Sequence, residues 1–533
     1  MNYLSTKKKS KIIAILGWFG ALVLLTAPAV AQLIDKNKAP NIANEGITKT
    51  LAQQIGAGRG NVTMPDSSAY IIARDPYRSI RRGRQLFQRK FTRADGQGPV
   101  MNDGFGDINS DLAIGAGLSD SCASCHGRPR GSAGAGGDVA TRPDSRDAPH
   151  LFGLGLKEML ADEITADLRV IKAEAIADAA AHHHSVTKRL NSKGINYGTI
   201  TANPDGSVTT LNVQGVDPDL RVRPFFHHGG TISIREFVVG ALNAEMGLQA
   251  VDPDLSAASA GARVTTPSGM VLDGASDTVE APRATSESDD PDGDGILNEV
   301  PCSLVDHLEF YLLNYFKPGL YKQTESTREG REVFEDIGCA QCHVPNLQID
   351  NDRRVADVET IYDPVKGIFN NLFATANPLF NSSDDGSGFP TLKRPRLRRF
   401  LVRNIFTDFK RHDLGPSFYE RNYDGTTRTQ FMTTPLWGVG TTAPYGHDGR
   451  SINLAEVILR HGGEAEAVRS RFARLEREER ARLLDFLASL IIFPPDDTAS
   501  NLDPGNRNTP GFPLFGHGSI KLTVLFNQPA DVE

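Results

Sequence analysis

The stretch SDSCASCH, Ser119–His126, places two cysteines three residues apart, directly before a histidine. The same pattern returns in IGCAQCHVP, Ile337–Pro345, so the chain carries two Cys-x-x-Cys-His motifs. Three chemistries use such a pattern: structural zinc, a redox-active dithiol, and covalent attachment of haem.

Covalent haem explains both motifs best. A structural zinc site needs four ligands, whereas each motif offers at most three. A thioredoxin-type dithiol follows a strand, whereas the residues before the second motif are predicted to be helical. In a c-type attachment the cysteine sulfurs bind the haem vinyl groups and the histidine nitrogen binds the iron. The predicted attachment residues are Cys122, Cys125 and His126 for one haem and Cys339, Cys342 and His343 for the other.

The N-terminus has the pattern of an export signal. Several lysines precede an apolar run, Ile12–Leu25, and the run is followed by the small-x-small residues Ala29–Ala31. Such a run is short for a membrane span and typical of a signal peptide. We therefore predict a signal peptide over residues 1–31, a periplasmic location and no stable membrane span after cleavage.

Charge and cysteine usage exclude other classes. The formal net charge of −7 gives no support to a nucleic-acid-binding function. Only Cys302 lies outside the two motifs, so the chain lacks the scattered even set of cysteines of a disulfide-stapled fold. Cys302 is predicted to be a small apolar side chain rather than a reactive thiol.

The surroundings of the two motifs are similar, which indicates a duplicated unit. The stretches RRGRQLFQRKF, Arg81–Phe91, and REGREVFEDIG, Arg328–Gly338, share a Gly-Arg-x-x-Phe core on a predicted helix. The predicted fold is mainly α, with two cytochrome c-like haem domains and with long loop and β-hairpin insertions in the first. The predicted segments are a signal peptide (1–31), an N-terminal extension (32–79), the N-terminal haem domain (80–320), the C-terminal haem domain (321–493) and a tail (494–533).

Three insertions of the first domain carry local signals. YGTITANPDGSVTTLNV, Tyr197–Val213, is predicted to be a hairpin that turns at Asn203–Gly206. The run His182–His184 cannot share one helix face and is interpreted as a solvated surface. The Ser/Thr/Ala-rich stretch 256–290 is predicted to be mobile.

A possible calcium loop follows. Asp290, Asp292 and Asp294 precede Gly295, as at the start of a calcium-binding loop. The twelfth position is Pro301 rather than a glutamate, and Glu299 is a possible substitute. An acidic turn without an ion is the alternative.

The C-terminal domain ends in two predicted helices. Asn453 and Glu456 resemble a capping box, and Gly462 ends that helix directly after His461. The next stretch, 475–490, has the leucine spacing of a terminal helix.

In the order of these motifs the chain resembles the bacterial di-haem cytochrome c peroxidase superfamily. It is closest to the di-haem oxidoreductases, and the superfamily includes the maturation enzyme of methylamine dehydrogenase and the haem rubber oxygenases. Besides the haem motifs, the resemblance rests on SRDAPHLFG, on PFFHHGGTISIREFVVGALNAEMG and on FMTTPLWGVGTTAPYGHDGRSINLAEVILRHGGEA.

The resemblance implies roles for single residues. The N-terminal haem would meet peroxide or oxygen opposite His126, and the C-terminal haem would relay electrons. Its second axial ligand would be His461, with His447 and His412 as rivals. Glu245 falls on the catalytic glutamate of the family, and His227 falls where the family usually has a tryptophan between the haems.

Two further expectations come from the resemblance. Phe237 replaces a glutamine that is common in the peroxidases, which makes the predicted pocket more apolar. The superfamily also binds calcium between its domains, and the matching positions are Asp147, Thr433 and Pro435. An aspartate is an acceptable ligand for this hard cation.

The predicted function is that of an exported di-haem c-type cytochrome oxidoreductase of peroxidase type. Its predicted cofactors are two covalently bound haems and possibly one calcium ion. Its predicted partners are hydrogen peroxide or O2 and a small electron-donor protein, a cytochrome c or a cupredoxin. Two alternatives stay open: oxygenase-type cleavage or oxidation of an organic substrate with O2, and a non-catalytic electron-transfer cytochrome.

Overall fold

A computed structural model describes residues 50–98, 100–101, 114–116, 119–127, 133–135, 147–315, 318–362, 372–422 and 425–492. All of them belong to one compact unit, Gln32–Glu533. The predicted signal peptide (1–31) and the predicted tail (494–533) lie outside the described residues. So do most of the residues between Gly127 and Asp147.

Helices provide the largest elements of the described structure. The α-helices are α1 (Leu51–Ile55), α2 (Ser68–Arg74), α3 (Pro76–Gln88), α4 (Cys122–His126), α5 (Leu154–His182), α6 (Ile234–Met246), α7 (Pro253–Ser259), α8 (Cys302–Asn314), α9 (Glu325–Asp336), α10 (Leu454–Arg460), α11 (Glu466–Arg474) and α12 (Arg477–Ala488).

The strands are short and are spread over small antiparallel sheets. They are β1 (Val100–Met101), β2 (Ile114–Ala116), β3 (Val186–Ser192), β4 (Ile195–Ala202), β5 (Val208–Thr209), β6 (Arg263–Thr265), β7 (Val271–Asp273), β8 (Gly319–Leu320), β9 (Leu347–Asp352), β10 (Ala356–Tyr362), β11 (Leu372–Pro378), β12 (Phe380–Ser383), β13 (Leu392–Pro395), β14 (Arg398–Val402), β15 (Arg411–Asp413), β16 (Glu420–Arg421), β17 (Thr427–Arg428), β18 (Gln430–Met432) and β19 (Leu490–Ile491). Among the described strands, only β3, β4 and β5 form a sheet of more than two strands. The predicted mainly-α class is confirmed.

The two predicted Gly-Arg-x-x-Phe helices are α3 and α9, and each packs closely on a partner helix at its glycine. A Cβ atom on Gly83 would lie 2.2 Å from the carbonyl oxygen of His307 in α8. A Cβ atom on Gly330 would lie 1.9 Å from the carbonyl oxygen of Arg482 in α12. Only glycine allows backbones to approach so closely.

Buried apolar side chains form two clusters. The smaller one lies in the C-terminal part of the chain and consists of Phe334, Ile337, Phe406, Phe472, Leu483, Phe486, Leu487 and Leu490. The larger one centres on α3, α5, α6 and α8 and also takes in Leu347 and Ile349 of β9. The start of the predicted C-terminal domain therefore packs partly into the larger core.

The local predictions of the first half had mixed outcomes. The hairpin is confirmed, since β4 pairs with β5 and the amide of Gly206 donates to the carbonyl of Asn203. His182–His184 are exposed, as predicted. The stretch 256–290 contains regular structure, since β6 and β7 form a hairpin there, and its mobility stays a prediction.

The predicted capping box at α10 is half formed. The side chain of Asn453 accepts a hydrogen bond from the amide of Glu456, 2.9 Å apart. The Glu456 carboxylate accepts from the amide of Ile452 instead of that of Asn453. Within the described residues, no helix is both long enough and apolar enough to cross a membrane.

Candidate functional site

A single cavity of about 1040 Å³ joins the surroundings of both Cys-x-x-Cys-His motifs. Its walls come from the two motifs, from α6, and from the segment between β18 and α10. Pockets for one small ligand usually measure about 300–1,000 Å³. The cavity is thus at the upper end of that range or beyond it, and it reaches both motifs.

The first motif forms the short helix α4. The Nδ1 atom of His126 lies 2.7 Å from the carbonyl oxygen of Pro149, to which it donates as the neutral tautomer. Burial lowers the pKa of His126 to about 4. The ring is therefore neutral at pH 7 and keeps Nε2 for a metal ion, as a histidine ligand requires. The ring of Phe87, from α3, lies 6.5 Å away.

The second motif repeats this arrangement with different backbone. Cys339–Gln341 form a turn of 3₁₀ helix, and Nδ1 of His343 lies 3.1 Å from the carbonyl oxygen of Phe406. Burial lowers the pKa of His343 to about 4. The ring of Phe334, from α9, lies 6.1 Å away. Each motif thus pairs a neutral histidine with the phenylalanine of its Gly-Arg-x-x-Phe helix.

The cysteines of the two motifs are available for covalent attachment. None of the five is in a disulfide, and burial raises the pKa of both Cys122 and Cys339 to about 12. Cys302, at the first position of α8, is half-buried, and burial raises its pKa to about 11. A thiol with such a pKa is a poor nucleophile at neutral pH, in line with the prediction for Cys302.

Three histidines are candidates for the second ligand near His343, and their surroundings in the structure differ. His461 directly follows α10, and its Nδ1 lies 2.7 Å from the carbonyl oxygen of Val457. Burial lowers the pKa of His461, and a charge on its ring would add to the effect of burial in lowering the pKa of His343. His461 lines the cavity, and its Nε2 atom takes no part in the hydrogen bond to Val457.

His412 has both ring nitrogens bound to carboxylates. Nδ1 lies 2.7 Å from Glu464 Oε2 and Nε2 lies 2.9 Å from Asp408 Oδ2. Burial alone would lower the pKa of His412, but the contacts with Asp408 and Cys342 outweigh burial and raise it to about 11. A protonated imidazole cannot bind a metal ion.

The group Cys342, Asp408 and His412 also has the spacing of a metal site, with possible ligand atoms within 4.8 Å of one another. It offers three ligands where structural zinc takes four, and its histidine is already held between two carboxylates. The group therefore fits zinc poorly.

His447 lies between the two motif regions. Its ring stacks on Phe431 with centroids 4.1 Å apart, and its Nε2 lies 3.5 Å from Glu420 Oε2. The rings of His227 and His447 are 6.0 Å apart, those of His447 and Phe418 are 6.2 Å apart, and those of Phe418 and His461 are 5.3 Å apart. Aromatic rings thus form a continuous series from His227 to His461.

Helix α6 forms the wall of the cavity on the side of the first motif. Glu245 lies in its last turn, lines the cavity, and is close enough to Cys125 for its charge to raise the pKa of that thiol. In this wall the ring of Phe237 packs against the rings of Phe225 and Phe226, with centroids 5.8 Å and 5.4 Å apart, respectively. The wall is therefore largely aromatic, with Glu236 near its start and Glu245 at its end.

A buried ion network, which the sequence patterns did not reveal, holds the start of α6. Arg235 is fully buried and donates to Asp252, Asp306 and Glu309 at 2.8–2.9 Å. Burial raises the pKa of Glu309 to about 7. Removing one partner of such a network leaves a buried charge uncompensated, which costs several kcal/mol. α6 is thus tied firmly to α8.

The positions predicted to hold calcium between the domains all line the cavity. The amide of Asp147 donates to the carbonyl of His447 over 3.0 Å, and the hydroxyl of Thr407 donates to the carbonyl of Thr433 over 2.6 Å. Pro435 follows two residues later. The calcium site stays a prediction.

Comparison with known proteins agrees with the resemblance drawn from the motifs. Residues 349–490 match the family described as "Di-haem oxidoreductase, putative peroxidase". The predicted resemblance to the di-haem oxidoreductases is confirmed over these residues. The match with the di-haem oxidoreductases includes His412, His447 and His461 and begins after the second Cys-x-x-Cys-His motif.

Two solved structures are similar to parts of the chain. Hydrazine synthase from Kuenenia stuttgartiensis is 16% identical over 35% of this chain and 55% of its own, with a TM-score of 0.21. A MauG-like protein associated with microbial copper homeostasis is 14% identical over 63% of this chain and 88% of its own, with a TM-score of 0.23. The chain spans only about half of the hydrazine synthase chain. No curated protein matches.

The residues present fit the two haems that the di-haem oxidoreductases carry. Each motif offers two free thiols and one neutral histidine beside a shared cavity. Each histidine has Nδ1 held by a backbone carbonyl, which is the usual way a protein orients a metal-binding imidazole. Cys122, Cys125 and His126 would hold one haem, and Cys339, Cys342 and His343 the other.

One cavity-lining residue escaped the sequence prediction. His150 lies next to Pro149, its Nε2 lies 2.6 Å from the carbonyl oxygen of Trp437, and its Nδ1 accepts from the amide of Phe152. Burial lowers the pKa of His150 to about 4. Both nitrogens are in use, so His150 links the Pro149 segment to the C-terminal half.

Proposed function

We propose that the protein is an exported di-haem c-type cytochrome oxidoreductase of peroxidase type. One observation carries the proposal: two Cys-x-x-Cys-His motifs, each with a neutral histidine held at Nδ1 by a backbone carbonyl, meet in one cavity. The family match over residues 349–490 supports the class of reaction.

The two haems have different tasks in this proposal. The haem that His126 would hold would be the reacting one, and α6 forms the cavity wall on that side. The haem that His343 would hold would relay electrons, and His461 would supply its second protein ligand. The position of His461, which lines the cavity with Nδ1 on a carbonyl, supports this assignment.

Bound haem supplies the redox chemistry, and the chain supplies the proton route and the surroundings. Glu245 accepts the proton from the inner oxygen of hydrogen peroxide and returns it to the outer oxygen, so that water leaves when the O–O bond breaks. Two electrons and two protons convert each peroxide to two water molecules. The donor is a small redox protein, a cytochrome c or a cupredoxin.

The ring series from His227 to His461 supports communication between the two centres. His227 stands where the family usually has a tryptophan, and its ring contacts that of His447. Phe418 continues the series to His461. Electrons would pass between the haems along this packed side-chain contact.

An oxygenase is the second candidate function, and one observation favours it. Phe225, Phe226 and Phe237 make the wall beside Glu245 aromatic, which suits an apolar organic substrate better than peroxide alone requires. Turnover with O2 and an apolar substrate, compared with turnover with hydrogen peroxide, separates the two enzymes. An electron-paramagnetic-resonance spectrum with two low-spin haems and no turnover would identify a plain electron carrier.

The test of the peroxidase mechanism is Glu245→Gln, which keeps the shape of the side chain but cannot transfer the proton. We expect peroxide turnover to fall by about 10²–10⁴-fold, the usual contribution of general acid–base catalysis. Both haem spectra should stay as in the wild type. Glu332→Gln, which removes an exposed carboxylate from α9, is the control.

Undiminished turnover in Glu245→Gln would reject the role of Glu245 as proton carrier. Glu245 would then be a structural carboxylate of α6.

A further inference from the structure

The loop between β7 and α8 brings three carboxylates together. Asp290, Asp292 and Asp294 have oxygen atoms within 4.8 Å of one another. The loop closes on itself, because Asp290 accepts hydrogen bonds from the amides of Gly293 and Gly295 at 2.8 and 3.0 Å. Alternating aspartates before a glycine are the opening of a calcium-binding loop.

A buried carboxylate, that of Glu299, lies next to this group. Glu299 is 3% exposed, and its Oε1 atom has no hydrogen-bond partner. Its Oε2 atom accepts from the backbone amide of Gln249 at 2.7 Å. A buried carboxylate oxygen without a partner is costly unless a cation or a donor compensates it.

Glu299 faces the aspartates. Burial raises the pKa of Glu299 to about 8, and the charges of Asp292, Asp294 and Asp290 add to this shift. Gln249 joins the two groups, because its backbone amide holds Glu299 while its side-chain amide makes a long hydrogen bond, 3.4 Å, to Asp292. Glu299 thus adjoins the group of three aspartates through Gln249.

The residue before Glu299 offers another oxygen. The Oδ1 atom of Asn298 is shielded from solvent and lacks a hydrogen-bond partner. Two neighbouring residues of one short loop therefore present buried oxygen atoms that no protein group satisfies. This is the pattern that a hard cation with oxygen ligands would satisfy.

We propose that Asp290, Asp292, Asp294 and Glu299 bind a calcium ion. Calcium takes six to eight oxygen ligands in flexible geometry, so backbone carbonyls and water can complete the shell. Glu299 takes the part that a glutamate two positions later plays in an ordinary twelve-residue loop. The site is separate from the one predicted at Asp147, Thr433 and Pro435.

The location gives the ion a structural consequence for α6. Gln249 lies three residues after the end of that helix, and Ala250 forms a parallel bridge with Val300, next to Glu299. Calcium would thus hold the C-terminal end of α6, where Glu245 lies, as the Arg235 network holds its start. Binding itself does not depend on the proposed function.

The test uses the full exported holoprotein, freed of divalent ions with a chelator and titrated with CaCl2 by calorimetry. We expect one binding event to disappear, or its Kd to rise by about tenfold or more, in Asp292→Asn/Asp294→Asn, because ligand charge sets calcium affinity. Asp384→Asn is the matched control, since Asp384 also accepts an amide hydrogen bond in an acidic glycine turn. A second calcium event, from Asp147, would remain in all three proteins.

Glu299→Gln keeps the test decisive if the double variant does not fold. We expect its Tm without calcium to be equal to or above that of the wild type, because the amide relieves the repulsion with the aspartates. The rise of a few degrees that calcium produces in the wild type should be lost. Identical calcium titrations in wild type and variants, or a Tm lowered equally with and without calcium, would overturn the proposal.

Discussion

The two Cys-x-x-Cys-His regions are built alike on one side and differently on the other. In both, a helix glycine touches the backbone of a second helix, a phenylalanine one turn later faces the motif histidine, and a carbonyl holds that histidine at Nδ1. Elsewhere in the cavity, the second region includes His461, whereas the first includes the aromatic wall of α6 and Glu245. In the proposed function, the shared half of each region would provide the attachment, and the half that differs would decide the chemistry.

The largest expected effect comes from removing each attachment in turn. Cys122→Ala/Cys125→Ala and Cys339→Ala/Cys342→Ala should each leave one haem per chain after acid–acetone extraction of denatured protein, where the wild type keeps two. Peroxide turnover should be lost in both, because one lacks the reacting haem and the other its electron supply.

Cys302→Ala is the control for these variants and should keep both haems, since Cys302 lies outside the motifs. A purified protein that contains zinc and no haem would contradict haem attachment at both motifs.

A smaller but specific effect is expected at the second axial position. His461→Ala should convert the haem held by His343 from low spin to high spin and leave the other haem unchanged. With histidine on both sides, this haem should also have a lower reduction potential than a His/Met haem, because thioether ligation raises the potential. Electron paramagnetic resonance and a redox titration measure the two quantities.

His412→Gln is the informative companion, because both nitrogens of His412 are already bound to carboxylates. Its spin state should match the wild type. If the spectrum of His461→Ala were unchanged, His447 would become the candidate for the second ligand.

The smallest effect probes the shared half of the two regions. Gly83→Ala and Gly330→Ala should each lower the free energy of unfolding by about 1–3 kcal/mol, the usual cost of overpacking, because the new Cβ would overlap a carbonyl of the partner helix. Gly330→Ala should disturb only the spectrum of the haem held by His343, and Gly83→Ala only the other.

Gly98→Ala serves as control, since a Cβ there has no atom within 4 Å. Thermal unfolding measures the difference. Equal Tm values for the wild type and the three variants would show that the close helix contacts at Gly83 and Gly330 do not stabilise the fold.

Local signals accounted for much of the fold. Helix α9, the start of α10 at Asn453 and the turn at Asn203–Gly206 depend on residues within a few positions of each other. Strands β6 and β7 were missed because each is only three residues long, which is too short to show an apolar alternation. The buried pairing of Arg235 with α8 was missed because its partners lie about 70 residues away.

The sequence by itself predicted the attachment chemistry, because each Cys-x-x-Cys-His motif lies within five residues and needs no distant partner. Only the tertiary structure decided which carbonyls hold His126 and His343, since Pro149 and Phe406 lie 23 and 63 residues away. It also gave the three candidate histidines different surroundings, since His461 lines the cavity with Nδ1 on a carbonyl whereas two carboxylates contact His412. Such choices depend on desolvation and on long-range hydrogen bonds, which a chain acquires only when it packs.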